Sequence, residues 1–365
     1  MKKYIVISTY PKEGSKNIGD QLITNSVINA IKVTKGNSVN IDVVWRAQPW
    51  QDVKSLFLEC DAVIFACLAI RPKMSETYPY LSEILKLDKE VHVVSAGTAL
   101  VVESPTLSFK NYVDTDSVNT LIELDRKCKT FTTRGALTQS FCESIGMKNA
   151  QFGGDVAFVE KEYSDLKFKS NTSNIENIVM SDPHYAINYE KVFERAYYNL
   201  KQFFPEANIK IALHGNDPRI KDFAIKNKIE FVEIFKEKNS GLNIYDSADL
   251  HVGFRVHAHV SALKRRKYSY LFEQDGRGCD YGLTINRKIS LPTFRHNPKA
   301  LFSRFRGVVF SRLGLPFGGV KESTADLMLS LIKRDYETGF EKFVGLEKQF
   351  VQFSSNIESQ LEMLP

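Results

Sequence analysis

Residues 247–259 read Ser-Ala-Asp-Leu-His-Val-Gly-Phe-Arg-Val-His-Ala-His, a pattern typical of a β-strand that leads directly into a helix. The apolar run 250–254 predicts a buried strand, and residues 256–263 have helical spacing. The same alternation of short apolar runs and helical patterns recurs on both sides of this stretch. Because strands separated by helices need crossover connections, the sequence predicts an α/β fold with parallel sheets covered on both faces.

The alternation falls into two halves of similar size, separated by the polar stretch 164–177. The strands predicted in the first half are 4–8, 40–45, 62–66, 90–95 and 129–132. The helices predicted between them are 21–33, 52–59, 79–86 and 137–145. In the second half the predicted strands are 177–180, 209–213, 230–234, 250–254 and 268–272. The predicted helices of that half are 189–203, 218–226 and 256–263.

Two successive α/β units predict two Rossmann-like domains that face a central cleft. The first domain is expected to span residues 1–165, and the second is expected to span residues 175–322. Residues 323–365 carry Leu and Phe side chains at helical spacing. They are expected to form C-terminal helices, which could pack back across the N-terminal domain.

Composition and charge exclude several classes of protein. The 365 residues are 43% hydrophobic and 25% charged, which excludes a disordered, collagen-like or disulfide-stapled chain. The net charge of +6 is too small to indicate a partner among nucleic acids. The N-terminal apolar run is short and predicts a first strand rather than a signal peptide. Because the five cysteines are scattered and odd in number, a reducing, cytoplasmic location is expected.

Ligands of open α/β sheets bind beyond the carboxyl ends of the strands, so the residues that follow strands are the candidates for a site. Residues 17–20 read Asn-Ile-Gly-Asp, and Asp20 either caps the first helix or binds hydroxyl groups of a ligand. Arg134 lies between a strand and a helix, where it either binds a carboxylate or phosphate or pairs with a neighbouring acid. Gly154 and Asp155 indicate a turn in which Asp155 either caps or contacts a ligand.

Arg255 and His257 form the most informative pair, at the end of a strand and in the first turn of the next helix. A His is the usual general acid or base near neutral pH, and the nearby Arg can hold an anion while the His exchanges a proton. His251 lies within an apolar strand and is expected in the core, so no closed set of metal ligands is visible. Arg277 lies between two glycines after the strand 268–272, which predicts a loop that can approach an anion.

Taken together, these segments resemble the polysaccharide pyruvyltransferase family. The matching pieces, in chain order, are Asn17 to Asp20, Arg134 with Thr138, Gly146, Gly154 with Asp155, and residues 248–258. The last piece is the most specific, and the resemblance covers about residues 1–290. Members are similar in fold to GT-B glycosyltransferases. They transfer the pyruvyl group of phosphoenolpyruvate to two hydroxyls of a sugar, which forms a cyclic ketal and releases phosphate.

The resemblance implies roles for the donor-binding residues, and it places the donor side in the second domain. Arg134 and Arg255 would bind phosphoenolpyruvate, and His257 would act as the catalytic acid or base. Arg277 falls twenty-two residues after Arg255, where relatives commonly carry a Lys that also faces the donor. An Arg keeps the charge there and changes the hydrogen-bonding geometry.

The resemblance places the acceptor, a glycan or lipid-linked oligosaccharide, on the side of the first domain. Asn17, Asp20 and Asp155 would be acceptor-binding or structural residues there. Phosphoenolpyruvate is implied as a co-substrate, and neither a cofactor nor a metal is expected.

The sequence departs from the family pattern at three turns. Residues 66–69 read Ala-Cys-Leu-Ala and residues 95–98 read Ser-Ala-Gly-Thr, where the first turn is usually glycine-rich, and Val156 replaces the usual Pro. Because the first two turns would line the acceptor side, an atypical acceptor is expected. Two alternatives stay open: a GT-B glycosyltransferase that uses a nucleotide sugar, and a catalytically silent glycan-binding homologue.

Residues 299–312 interleave phenylalanines with arginines. As a helix, this segment could lie on an anionic membrane at its cytoplasmic face. The alternative is a helix packed beside the cleft, which Gly307 favours because glycine weakens an isolated helix. Residues 255–312 contain 13 Lys and Arg against 3 Asp and Glu, so the positive charge of the chain is concentrated there. Such a region suits a small polyanionic donor.

Overall fold

Each half of the chain packs around its own parallel β-sheet. The computed structural model describes residues 1–10, 18–36, 38–100, 109, 111–159, 161–169, 174–184, 186–237, 241–293 and 320–365. Unit 1 contains the described residues of 1–100, 109–165 and 348–365, and unit 2 contains those of 166–347. The predicted α/β class with parallel sheets is confirmed. The change from unit 1 to unit 2 falls within the polar stretch 164–177.

Seven of the described strands belong to unit 1. Their bounds are β1 (Lys3–Ser8), β2 (Asn40–Trp45), β3 (Ala62–Ala66), β4 (Ala69–Ile70), β5 (Glu90–Thr98), β6 (Thr130–Thr133) and β7 (Ala150–Phe152). The order across the sheet is β2-β1-β3-β5-β6-β7, and β4 pairs with β5. All five side chains of β3 are buried, as expected for a central strand covered on both faces.

Helices join these strands and cover the sheet. Their bounds are α1 (Ile18–Lys35), α2 (Trp50–Glu59), α3 (Met74–Thr77), α4 (Leu81–Lys86), α5 (Thr115–Lys127) and α6 (Ala136–Ser144), with short 3-10 turns at Val156–Phe158 and Lys161–Tyr163. The core between them is aliphatic and aromatic, with Phe57, Phe65 and Phe131 among its buried side chains. The sequence analysis did not predict α5, which begins at the side-chain cap of Asp114.

β5 is longer than predicted, because the chain continues past Ser95 through a bulge. The pairing with β6 changes register there, and Ser95 has a left-handed backbone with a φ of 55°. The prediction ended this strand at Ser95, whereas the strand runs to Thr98 and pairs with β4 at its end. The extension brings Gly97 and Thr98 beside Arg134.

Unit 2 holds six described strands in a second parallel sheet. Their bounds are β8 (Asn177–Ser181), β9 (Asn208–Ala212), β10 (Phe231–Val232), β11 (Leu250–Gly253), β12 (Tyr268–Glu273) and β13 (Ser290–Pro292). The order is β10-β9-β8-β11-β12-β13. β8, β11 and β12 therefore lie next to one another, and their carboxyl ends share one edge of the sheet.

The helices of unit 2 follow the strands closely. Their bounds are α7 (Ala186–Phe203), α8 (Pro218–Lys226), α9 (Val256–Lys264), α10 (Gly276–Thr284), α11 (Ser323–Glu337) and α12 (Glu341–Val344), with 3-10 turns at Ile234–Lys236 and Gly241–Tyr245. The loop predicted around Arg277 is wrong, because Arg277 lies in the first turn of α10. Gly276 and Gly278 are poor helix formers, but Asp275 caps this helix by accepting from the backbone N–H groups of Arg277 and Gly278.

The structure divides the C-terminal helices between the two units, whereas the prediction grouped residues 323–365 together. α11 packs on α7 in unit 2, where Arg195 Nη2 lies 2.7 Å from Asp326 Oδ2. The last helix, α13 (Glu347–Glu362), packs on unit 1 instead. Its Phe350 stacks on Phe158 with ring centroids 4.2 Å apart. These aromatic contacts give the final helix a partner in unit 1.

Candidate active site

Polar side chains follow four strands of unit 2 at the carboxyl edge of the sheet. Because parallel strands end at a common edge, residues after neighbouring strands come together there. The residues at this edge are Asp182 and His184 after β8, His214 after β9, Arg255 and His257 after β11, and Asp275 and Arg277 after β12. The sequence analysis selected Arg255, His257 and Arg277 from this group.

Arg255 is held by a buried carboxylate. Its Nη2 lies 2.7 Å from Oδ2 of Asp182, and its Nε lies 3.1 Å from Oδ1 and 2.9 Å from the backbone oxygen of the same residue. The Asp182 side chain is nearly inaccessible to solvent, and its Oδ1 also accepts from the backbone N–H of His214 at 2.8 Å. Such a two-point ion pair fixes the plane of the guanidinium as well as its position.

A chain of hydrogen bonds through the core supports the backbone at Arg255. The Arg255 N–H donates to Ser181 Oγ at 3.3 Å, and Ser181 Oγ lies 2.9 Å from Nε2 of His251. Nδ1 of His251 and Nδ1 of His259 each lie 2.7 Å from Ser269 Oγ. One hydroxyl has one proton to donate, so at most one of the two Nδ1 atoms can be the acceptor and at least one of them carries a proton. The strand end at Arg255 is thereby tied to β8, β12 and α9.

The two histidines of this hydrogen-bond chain, His251 and His259, are neutral core residues. Burial lowers the pKa of His259 to about 3, and burial together with His259 lowers the pKa of His251 well below its usual value. His251 lies in the core, as its apolar strand predicts. In the part of the chain that the structure describes, no group of three His, Cys, Asp or Glu side chains could hold a metal ion.

His257 is the second residue of α9 and is half-buried. The neighbouring His214 is half-buried, and its Nε2 lies 2.8 Å from the hydroxyl of Tyr245. Burial lowers the pKa of His214 strongly, and the proximity of Arg255 and His257 lowers it further. His214 therefore stays neutral at this edge.

Arg277 is the second cation of this edge and is also paired. Its Nη2 lies 2.6 Å and its Nε 3.1 Å from Asp275 Oδ2. Burial acts to raise the pKa of Asp275, but the Arg277 guanidinium and the capped N–H groups outweigh burial and hold this pKa below its usual value. Asp275 is therefore charged at neutral pH. About a third of the Arg277 side chain is exposed, so it can reach a ligand.

His184 was missed by the sequence analysis. It is exposed, its Nδ1 lies 3.1 Å from Nη1 of Arg255, and its backbone N–H donates to Gln274 Oε1 at 2.8 Å. Gln274 in turn donates to the backbone oxygen of Phe254, which joins the loops after β8, β11 and β12. The signal that could have found Asp182 and His184 was their position directly after a predicted strand.

Arg134 lies at the carboxyl edge of the other sheet, in unit 1. It is 6% exposed, and its Nη2 donates to the backbone oxygen of Thr98 at 3.4 Å. Its guanidinium crosses Gly97, where a Cβ atom would lie 2.6 Å from Cζ of Arg134. Cys67 Sγ lies 4.0 Å from Nη1. The structure thus brings Arg255, His257 and Arg277 to one edge and places Arg134 in the other unit.

The turns that depart from the family pattern hold unusual backbone. Cys67 has a φ of 56° and Ser95 a φ of 55°, a region that favours glycine. Ser95 has side-chain partners there, since its Oγ donates to the Gly154 carbonyl at 2.8 Å and accepts from the Val156 N–H at 3.0 Å. Ser95 thereby fixes the turn that contains Asp155.

The structure places the other candidate residues of unit 1 as follows. Asp155 is buried and caps a 3-10 turn by accepting from the Ala157 N–H at 2.8 Å, a structural role. The prediction that Asp20 caps α1 is wrong, because buried Ile18 starts the helix earlier and Asp20 lies within its first turn. A carboxylate there still interacts favourably with the helix dipole. Asn17 lies outside the described residues.

The sequence profile of the polysaccharide pyruvyl transferase family matches residues 17–275. Among curated proteins, none matches the chain in sequence. None of the helices in the described ranges is long and apolar enough to cross a membrane.

Two solved structures illustrate the fold. S. aureus MnaA with UDP is 12% identical, covers 98% of this chain and 94% of its own, and has a TM-score of 0.51. A putative UDP-N-acetylglucosamine 2-epimerase from Listeria monocytogenes is 9% identical over the same shares, with a TM-score of 0.52. At these identities the likeness concerns the fold alone, and it confirms the predicted GT-B-like class with two Rossmann-like domains. Since the family profile spans most of the sequence, the chain belongs to the polysaccharide pyruvyl transferase family.

Proposed function

We propose that this protein transfers the pyruvyl group of phosphoenolpyruvate to two hydroxyls of a glycan sugar, which forms a cyclic ketal and releases phosphate. The acceptor would be a glycan or lipid-linked oligosaccharide of a cell-surface polysaccharide or exopolysaccharide, made on the cytoplasmic side. The observation that supports the proposal is the common position of Arg255, His257 and Arg277 at one edge of the unit 2 sheet.

This edge suits a small polyanion. Phosphoenolpyruvate carries a carboxylate and a phosphate close together, and guanidinium groups bind such groups at two points. The buried carboxylate of Asp182 holds the guanidinium of Arg255 in place, and the half-buried carboxylate of Asp275 holds that of Arg277. α9 and α10 both begin at this edge, and the positive ends of helices favour anions.

The chemistry can be written with atoms in balance. A proton adds to the methylene carbon of phosphoenolpyruvate, and a sugar hydroxyl attacks the central carbon. The bond from that carbon to the phosphate oxygen then breaks, phosphate leaves with the electron pair, and a second hydroxyl closes the ring. The protons balance, because the two sugar hydroxyls lose two protons in total. The new methyl group gains one proton, and hydrogen phosphate carries the other. His257 would move protons, and Arg255 and Arg277 would stabilise the carboxylate and the leaving phosphate.

The direct test is incubation with phosphoenolpyruvate and a panel of sugar acceptors, with phosphate release as the readout. We expect release by the wild type and none above background by His257→Ala, whose fold is checked by circular dichroism. Leu327→Ser is the control, because this side chain is 61% exposed on α11. Full phosphate release by His257→Ala in the presence of acceptor would overturn the role of His257.

Thermal shifts separate the proposal from its alternatives. Stabilisation by phosphoenolpyruvate favours a pyruvyl transferase, whereas stabilisation by nucleoside diphosphates alone favours a glycosyltransferase that uses a nucleotide sugar. Binding of glycan with no phosphate release from any acceptor would indicate a silent homologue.

Membrane contact through residues 299–312 stays a prediction, since this segment lies outside the described residues. Flotation with anionic liposomes tests it. A lack of binding at low salt would leave the packed helix as the explanation for this segment.

A further inference from the structure

His184 occupies a position that the family resemblance did not single out. It follows β8 directly and is exposed at the same edge of unit 2 as Arg255 and Arg277. Partial burial of its ring is the main cause that lowers the pKa of His184, and the nearby Arg255 and Arg277 lower it further. Asp275 and Asp182 act in the opposite direction. An exposed imidazole that contacts Arg255 and lies near Arg277 therefore belongs to the same edge as the two arginines.

The contact with Arg255 determines which ring nitrogen carries the proton. A guanidinium has only donors, so His184 Nδ1, 3.1 Å from Nη1 of Arg255, must be the acceptor. The neutral ring then carries its proton on Nε2. Arg255 cannot turn to release this contact freely, because Asp182 holds its Nε and Nη2. The tautomer of His184 is thus fixed by a buried ion pair.

We infer that His184 is a further donor-binding residue, whose Nε2–H donates a hydrogen bond to the anionic donor substrate. The inference rests on the proposed function for the identity of that donor, phosphoenolpyruvate. A neutral hydrogen-bond donor complements the two charged guanidinium groups here. A third cation beside Arg255 and Arg277 would be repelled by them before the substrate binds.

Two substitutions separate binding of substrate from positioning of Arg255. In His184→Asn the amide oxygen can take the place of Nδ1 and accept from Arg255, but no group reaches the position of Nε2. In His184→Gln the longer side chain can bring an N–H to the position of Nε2, and the acceptor for Arg255 is lost. The two variants therefore remove one function each from the same ring.

The experiment measures the dissociation constant of phosphoenolpyruvate by calorimetry, without acceptor, for the wild type and both variants. Circular dichroism and the melting temperature check that each variant folds. We expect His184→Asn to bind about tenfold more weakly or worse, the loss of one hydrogen bond to a charged group, and His184→Gln to stay within about threefold of the wild type. Any other order of the two variants would overturn the inference, and weak binding by His184→Gln alone would make His184 a positioning residue for Arg255.

Inorganic phosphate, used as a second probe, separates failure of this inference from failure of the proposed function. If the wild type binds phosphate but not phosphoenolpyruvate, and the variants keep the expected order with phosphate, the proposed function fails and the anion-binding role of His184 stands. If the wild type binds both probes and the variants match it, only the inference fails. If the wild type binds neither probe, both are overturned.

Discussion

At the scale of single residues, the candidate site depends on two Asp–Arg pairs that differ in sequence separation. Asp275 lies two residues before Arg277, so the pair forms within one helix start. Asp182 lies far from Arg255 in the chain and meets it only because β8 and β11 are neighbours in the sheet. The second pair therefore links the proposed chemistry to the correct assembly of unit 2.

The Asp182 carboxylate is expected to matter for both stability and donor binding. Asp182→Asn removes the charge that Arg255 requires, and loss of one partner of a buried ion pair costs about 3–5 kcal/mol. We expect a lower unfolding free energy in urea and a KM for phosphoenolpyruvate raised about tenfold or more. Asp217→Asn is the matched control, because Asp217 likewise accepts from a backbone N–H and pairs with an Arg, at a more exposed position. An unchanged KM in Asp182→Asn would contradict the positioning role.

Cys67 and Ser95, two of the four described non-glycine residues with left-handed backbone in unit 1, are expected to respond in opposite ways to glycine. Cys67→Gly relieves an unfavourable φ and should stabilise unit 1 by about 1 kcal/mol. Ser95→Gly relieves the same strain but removes two buried side-chain hydrogen bonds, so it should destabilise the unit or leave it unchanged. Urea unfolding followed by tryptophan fluorescence measures both, because Trp45 and Trp50 lie in unit 1. A stabilising effect of Ser95→Gly equal to that of Cys67→Gly would refute this account.

At the scale of elements, the hydrogen-bond chain that supports Arg255 joins three strands and one helix. It runs through Ser181 on β8, His251 on β11, Ser269 on β12 and His259 on α9. Its central hydroxyl, Ser269 on β12, contacts two histidine nitrogens at once. A fully satisfied polar chain of this kind fixes the register and spacing of the strands it connects.

Loss of the Ser269 hydroxyl is expected to damage this arrangement. Ser269→Ala leaves His251 and His259 with buried nitrogens that face no hydroxyl, and we expect unfolding to become easier by about 1–3 kcal/mol. Ser330→Ala is the control, since Ser330 bonds only within an exposed turn of α11. Urea unfolding followed by tyrosine circular dichroism measures both. Equal stability of the two variants would show that the hydrogen bonds of Ser269 contribute nothing to the stability of unit 2.

The sequence predicted most elements well and the partners of the site poorly. Apolar runs such as 62–66 marked the central strands, because strands buried on both faces leave a clear pattern. α10 was missed because its first residues include two glycines, which a local pattern assigns to a loop. Strand-end position found Arg255, but its partner Asp182 depends on strand order, which local patterns do not encode.

At the scale of the whole molecule, the two units differ in their titratable groups. Six of the seven histidines belong to the range of unit 2, and His92 belongs to unit 1. Burial lowers the pKa of His214, His251 and His259 far enough for all three to be neutral in the folded state. Unit 2 is therefore the more sensitive of the two to acid.

This asymmetry predicts that mild acid unfolds unit 2 first. A histidine with a lowered pKa binds its proton in the unfolded chain before it does so in the folded chain. Its stabilising contribution is therefore complete above about pH 6.5 and falls as the pH falls toward the folded value, about 3 for His259. Each of the three histidines should lower the free energy of unfolding of unit 2 by about 1 kcal/mol as the pH falls from 6.5 to 5.5.

Two spectroscopic signals weight the units differently. Tryptophan fluorescence reports unit 1, whereas tyrosine circular dichroism reports both units, because buried tyrosines include Tyr78 and Tyr80 of unit 1 and Tyr245 and Tyr270 of unit 2. We expect the urea midpoint from tyrosine to fall between pH 7.5 and 5.5 by more than the midpoint from tryptophan. His259→Gln should reduce the difference. Equal shifts of both midpoints would contradict the prediction.

The return of α13 to unit 1 has a consequence for biosynthesis on the ribosome. The described residues of unit 2 all lie within 166–347, whereas unit 1 includes a helix that is translated after them. Until that helix emerges, Phe158 and the turn at Gly154 lack the cover that Phe350 and Phe353 provide. Unit 2 can thus reach its final fold before unit 1, and the nascent unit 1 exposes apolar side chains to chaperones until α13 has been translated.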